Sequence, residues 1–153
     1  GEALKAAIRN ADVRGAALDV WEHEPWIDPG LMELVEFATP HIAGYSTDGK
    51  ANGTAASVAA VAKFFGLDAA VGWYPRVPEP EHPRLKVDSV TDAVTMAYDI
   101  RRDDRNLRSS PETFEKLRGS YPLRREFSAF TVAEDSTLSV PEFTILKQLG
   151  FRG

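Results

Sequence analysis

Prolines crowd the middle of the chain at Pro75, Pro78, Pro80 and Pro83, and neither a helix nor an interior strand can run through that stretch. Each lacks an amide donor, and each biases the residue before it towards extended geometry. The chain therefore divides into residues 1–67, a semi-extended linker over 68–84, and residues 85–153.

The first segment alternates helix and buried strand. Leu4, Ala7 and Ile8 recur at helical spacing within Glu2 to Asn10. Gly15 to Val20 is small and apolar without alternation, the pattern of a strand covered on both faces of a parallel sheet. Asp28 as N-cap and Pro29 at the first helical position predict one or two turns to Val35. Phe37-Ala38-Thr39 predicts a second strand ending at Pro40-His41. A long helix is expected over Thr47 to Phe65, closed by Gly66 and weakened early by Gly49 and Gly53. This is the order of an α/β doubly wound, Rossmann-like sheet, with too few strands to complete one. The expectation is a partial nucleotide-binding segment plus a long helix, from a chain that begins inside a domain.

After the linker, a strand is expected at Leu85 to Val87 and a helix at Ser89 to Tyr98. A second helix is expected over Pro111 to Gly119, capped by Ser110, and a third over Val140 to Leu149 between Pro141 and Gly150. Phe127 to Val132 alternates with period two and predicts a strand with one buried face. The result is a small α+β domain.

Composition removes several function classes. A net charge of −5 argues against a nucleic-acid binder, because the phosphate backbone rewards a basic surface. Without cysteine there is neither a disulfide framework nor a thiolate metal site. No apolar run reaches the roughly 20 residues of a membrane span, and Gly1 to Leu4 lacks the features of a signal peptide. A cytoplasmic protein is expected. His23 and His82 have no metal-ligand spacing with other residues, so no metal is assigned.

Two stretches carry chemistry. Asp19 and Glu24 follow the first strand at the end where α/β sheets place ligands, and His41 follows the second. An imidazole beside a carboxylate is the pairing that an alcohol oxidation requires. The ring takes the hydroxyl proton, and the carboxylate holds the ring and raises its basicity. Taken singly, Asp19 is an ordinary turn residue, His41 a loop histidine and Glu24 a solvated carboxylate; their order is what gives them meaning.

Ala17-Leu18-Asp19-Val20-Trp21-Glu22-His23-Glu24-Pro25, followed by Thr39-Pro40-His41-Ile42-Ala43-Gly44, resembles the closing part of the signature of the D-2-hydroxy acid dehydrogenases. The resemblance implies an NAD-dependent oxidoreductase in which His41 is the acid/base and Glu24 orients it. It implies that Asp19 contacts the nicotinamide carboxamide, with His41 and Gly44 also at the cofactor. The family's Ser-Arg-Gly segment, whose arginine binds the substrate carboxylate, does not occur in this sequence, nor does its Gly-x-Gly-x-x-Gly phosphate loop. The fragment alone is accordingly expected to be inactive.

His41 to Ala51, Ala97 to Asp104, Phe114 to Arg118 and Arg124 to Phe127 are similar to a branch of that family acting on 4-phospho-D-erythronate in pyridoxal phosphate biosynthesis. That branch appends a dimerisation domain, so the resemblance implies a homodimer and a small phosphorylated substrate. Another 2-hydroxy acid dehydrogenase, of the glycerate or phosphoglycerate type, is the alternative within the class; a dimerisation module without catalysis is the alternative outside it. Tyr45, Arg101, Arg102, Arg124 and Arg125 are candidates for the substrate's oxygens, since guanidinium forks match phosphate and carboxylate. Ion pairing with Asp99, Asp103, Asp104, Glu115 and Glu126, or contact across a dimer, is the competing use for the arginines.

Overall fold

The computed structural model describes residues 1–153 and is a mixture of helices and two small parallel sheets, an arrangement compatible with the α/β class. Its contacts group the chain into two units, residues 1–43 with 99–122, and residues 44–98 with 123–153. The grouping cuts across the linear division at the proline-rich linker.

In the first unit, α1 (Glu2–Arg9) precedes β1 (Ala17–Leu18), α2 (Pro29–Leu34) and β2 (Phe37–Ala38). β1 and β2 run parallel, with Ala17 opposite Phe37 and Leu18 opposite Ala38. Asp28 caps α2 as expected, its Oδ1 accepting from the Gly30 and Leu31 amides, and Pro29 costs nothing where no donor is needed. β1 is shorter than the predicted Gly15–Val20 strand, and Ala17 is exposed. With only one neighbouring strand, the small apolar run is not covered on both faces.

The unit is completed by α5 (Ile100–Ser109), the single-turn 3-10 helix Pro111–Thr113 and α6 (Phe114–Gly119). Helix α5 was not expected: only Ile100 and Leu107 are strongly apolar in Ile100–Ser109, so no apolar stripe announces it. Asp99 starts it, accepting from the Arg101 amide, and Leu107 anchors it. Leu107 and Phe114 are fully buried among Trp21, Leu31, Met32 and Ala38. Each such side chain contributes about 1.5–3 kcal/mol of burial, so this pair is a main prop of the unit.

The second unit holds α3 (Thr47–Phe65), β3 (Arg84–Leu85), α4 (Val90–Ala97), β4 (Thr131–Val132) and α7 (Val140–Leu149). Helix α3 has the expected bounds. Ser46 caps it by accepting from the Gly49 amide, and Gly66 ends it at φ 66°, in the left-handed region that favours glycine. β3 pairs parallel with β4, Arg84 opposite Thr131 and Leu85 opposite Val132, and Thr131 also bridges to Arg152. Leu85, Val87, Ala93, Phe130, Leu146 and Phe151 form the core beneath. Helix α7 opens with a capping box between Ser139 and Glu142.

The expected Phe127–Val132 strand is corrected to a 3-10 turn, Phe127–Ala129, followed by two strand residues. Phe127 stacks on Phe151 with ring centroids 4.7 Å apart and Phe130 enters the core; three residues apart, the two follow the repeat of a 3-10 turn and not the period of two. Likewise the Pro111–Gly119 helix begins as a 3-10 turn. No helix is long and apolar enough to cross a membrane.

Candidate active site

Parallel pairing brings the ends of β1 and β2 to one edge of the sheet. Asp19 follows Leu18 and His41 stands three residues after Ala38, with the Thr39 amide extending the ladder to the Leu18 carbonyl at 2.9 Å. The carboxyl ends of parallel strands are where such sheets place ligands.

Asp19 ties this edge together. Its Oδ1 accepts from the Thr39 hydroxyl and the Ile42 amide, each at 2.7 Å, and its Oδ2 accepts from the Ala43 amide at 2.9 Å. The two amides directly follow His41, which sits at φ 55°, a left-handed conformation uncommon for a residue with a side chain. Such a backbone persists only where its surroundings hold it, and the Asp19 carboxylate does so.

The His41 Nδ1 lies 2.9 Å from Glu24 Oε2. Glu24 itself is fixed from the other side, its Oε1 accepting from the Trp21 amide at 2.8 Å. The buried Trp21 indole donates to the Thr39 carbonyl at 2.9 Å, which locks the loop carrying Glu24 against the loop carrying His41. Burial works to raise the Glu24 carboxyl. The hydrogen bonds from His41 and the Trp21 amide, with the charges of His41 and Arg118, outweigh it, and the group is held below the ordinary carboxylate range. Glu24 is therefore an anion and an acceptor, so the hydrogen between the two residues sits on His41 Nδ1. When the ring is neutral, Nε2 is its free base, and the His41 side chain is 41% exposed. The arrangement can take a proton from a hydroxyl group and hold the resulting cation.

Trp21 and Thr39 had no assigned role in the sequence, although both lie inside the motifs quoted above. A buried indole in a chain segment rich in carboxylates is the signal that marks Trp21.

The other candidates fall out differently. Gly44 and Tyr45 begin the second unit, where a Cβ on Gly44 meets nothing within 4 Å and the Tyr45 ring lies under Lys50 Nζ at 4.2 Å. Arg124 stacks over Tyr98 at 4.7 Å. Arg125 forks onto Asp48 and also donates to the Pro78 carbonyl. In the first unit, Arg101 pairs with Asp99 at 2.6 Å, and Arg102 stands exposed on α5.

Residues 80–150 match a family model described as a domain of unknown function, DUF3410. The chain is 47% identical over 131 residues to Erythronate-4-phosphate dehydrogenase of Bacteroides fragilis, covering 86% of this chain and 37% of that protein. It is 39% identical over 155 residues to the protein of the same name from Porphyromonas gingivalis, covering 98% of this chain and 41% of the relative. For that of Escherichia fergusonii the identity is 36% over 159 residues, covering 97% and 41%. The chain thus spans about two fifths of the length of these relatives.

Proposed function

The chain belongs to the erythronate-4-phosphate dehydrogenase family, and from that premise we propose that it is the C-terminal portion of an NAD-dependent enzyme oxidising the 2-hydroxyl of 4-phospho-D-erythronate to the 2-oxo acid. The reading includes a Rossmann-like origin for residues 1–67, a homodimerising role for residues 85–153, and work in the cytoplasm on the way to pyridoxal phosphate. The observation that carries it is the 2.9 Å hydrogen bond between His41 and Glu24 at the ends of neighbouring parallel strands.

His41 Nε2 accepts the proton of the 2-hydroxyl. Glu24 holds the ring through Nδ1, fixes its tautomer, and stabilises the imidazolium that forms. Trp21 keeps Glu24 in place through its amide. When bound, NAD supplies the acceptor for the hydrogen that leaves carbon 2 as hydride. The residues at hand fit the nicotinamide end of that cofactor: a carboxylate has about four lone-pair sites, and Asp19 uses three, leaving one for a carboxamide N–H. Tyr45, Gly44 and the arginines remain candidates at the substrate and cofactor. Arg101 and Arg125 already have acidic partners, so they serve this role only by exchanging them.

The test is an NADH-forming assay of the full-length protein with 4-phospho-D-erythronate, D-glycerate and 3-phospho-D-glycerate, beside the fragment alone. Turnover by the full-length protein with the highest kcat/KM for the first acid, and none by the fragment, is expected. Turnover by the isolated fragment, or preference for another acid, overturns the reading.

A further inference from the structure

Between α5 and α6 the first unit opens a cleft of about 260 Å³, lined on one side by Arg102 and on the other by Thr113, Lys116 and Ser120. Helical spacing puts Thr113, Lys116 and Ser120 along one face of α6. Three other cations of the two helices are paired, Arg101 with Asp99, Arg108 with Asp104 and Arg118 with Glu115, and Arg105 does not line the cleft. Arg102 and Lys116 have no acidic partner, and both line the same concavity. The cleft's one carboxylate, Asp103, is only 6% exposed and accepts from the Tyr121 hydroxyl at 2.6 Å, so it serves the wall and not the opening. Two cations and one sequestered anion make a net positive hollow in a chain whose overall charge is −5; of its hydroxyls, those of Thr113 and Tyr121 are donated to Ser110 and Asp103.

Pro40 also lines the cleft, and it directly precedes His41. Consecutive Cα atoms are about 3.8 Å apart, so the residue that carries the imidazole adjoins the cleft wall.

We propose that Arg102 and Lys116 form the seat for the phosphoryl group of the substrate, and that this cleft selects a phosphorylated 2-hydroxy acid over an unphosphorylated one. The inference rests on the dehydrogenase reading for the identity of the acid. The guanidinium of Arg102 supplies a planar fork to two phosphate oxygens and Lys116 a point charge to the third, with the Ser120 hydroxyl adding a further donor.

The experiment measures binding to the full-length protein by calorimetry, using 4-phospho-D-erythronate, D-erythronate and inorganic phosphate, with wild type, Arg102→Gln and Lys116→Gln. Each variant is expected to bind the phosphorylated acid about tenfold more weakly and D-erythronate unchanged, as loss of one charge-assisted hydrogen bond implies. Lys116→Arg should restore most of the affinity, which separates a binding role from damage to the fold. Equal affinity of all variants for the phosphorylated acid overturns the proposal, as does equal weakening for both acids. Loss of inorganic phosphate binding alone overturns it too, because the cleft is then a site for an independent anion. A wild type that binds with the predicted discrimination yet forms no NADH removes the dehydrogenase reading and leaves the cleft; turnover with indifferent variants does the reverse.

Discussion

Arg125 forks onto Asp48 across 77 positions of sequence, with Nε 2.9 Å from Oδ2 and Nη2 3.1 Å from Oδ1. The two side chains are 10% and 15% exposed, and Asp48 also accepts from the Glu126 amide at 2.8 Å. Removing one partner of a buried pair costs about 3–5 kcal/mol, and residual exposure reduces that. Asp48→Asn is expected to lower unfolding stability by roughly 2 kcal/mol in a urea titration. Arg125→Lys, which keeps the charge and loses the fork, should cost about half as much. Midpoints indistinguishable from wild type would show the pair to be idle.

The same pair sets an acid limit. Burial works to raise the Asp48 carboxyl, but the Arg125 hydrogen bonds and charge and the Glu126 amide hold it below its ordinary 3.8. The contribution is therefore complete above pH about 3.8, the unfolded value, and is lost as pH falls through the lower folded value. Acid titration of wild type and Asp48→Asn should show the stability gap closing in that window. A gap that stays constant through it refutes the assignment.

In the full-length protein, His41→Asn should lower kcat by about 10²–10⁴-fold with little change in KM, the loss of a general base. Glu24→Gln should lower kcat by roughly 10²-fold, because the ring keeps a hydrogen-bond partner but loses its anion. Steady-state assays over a pH series check both. If Glu24→Gln turned over like wild type across that series, the carboxylate would have no part in orienting the base.

Asp19→Asn places an amide where three donors converge. One of the Thr39, Ile42 or Ala43 donors must lose its acceptor, at a cost of about 1–3 kcal/mol. Hydrogen exchange at the Ile42 and Ala43 amides should accelerate more than at the amides of α7. Unchanged protection there would mean that the His41 turn is held by something else.

Arg108 reaches three acceptors at once: the Met32 carbonyl at 2.6 Å, the Val35 carbonyl at 2.9 Å and Asp104 at 2.8 Å. Asp104 in turn accepts from the Ala38 amide at 2.8 Å. Arg108→Ala should cost about 2–3 kcal/mol, and Arg108→Lys most of that, since an ammonium cannot span both carbonyls and the carboxylate. Thermal unfolding of the two variants measures it, and a lysine variant as stable as wild type would contradict the fork.

Helix bounds were legible wherever a local signal marked them. Asp28-Pro29 opened α2, Gly66 closed α3, and Pro141 with Gly150 bracketed α7, because caps and breakers act within a few residues. The pairing of Glu24 with His41 was legible from their order after two apolar runs. Helix α5 was not, since its stability comes from Leu107 entering a core built by residues far away in sequence. Nor were Asp48 as partner of Arg125, or Trp21 as the link between two loops. Those contacts join positions that no window of sequence sees together. The Phe127–Val132 stretch shows the converse: an apolar run read as alternation folds as a turn when two aromatics three residues apart enter one core.

Residues 1–43 find their missing interior in residues 99–122, with another unit's chain in between. A ribosome adding about 5–20 residues each second must work for several seconds after Ala43 before Leu107 and Phe114 exist to close over Trp21, Leu31 and Met32. Through that interval the emerging segment carries naked apolar side chains beside the His41 turn, and holdase chaperones have a defined window in which to meet it.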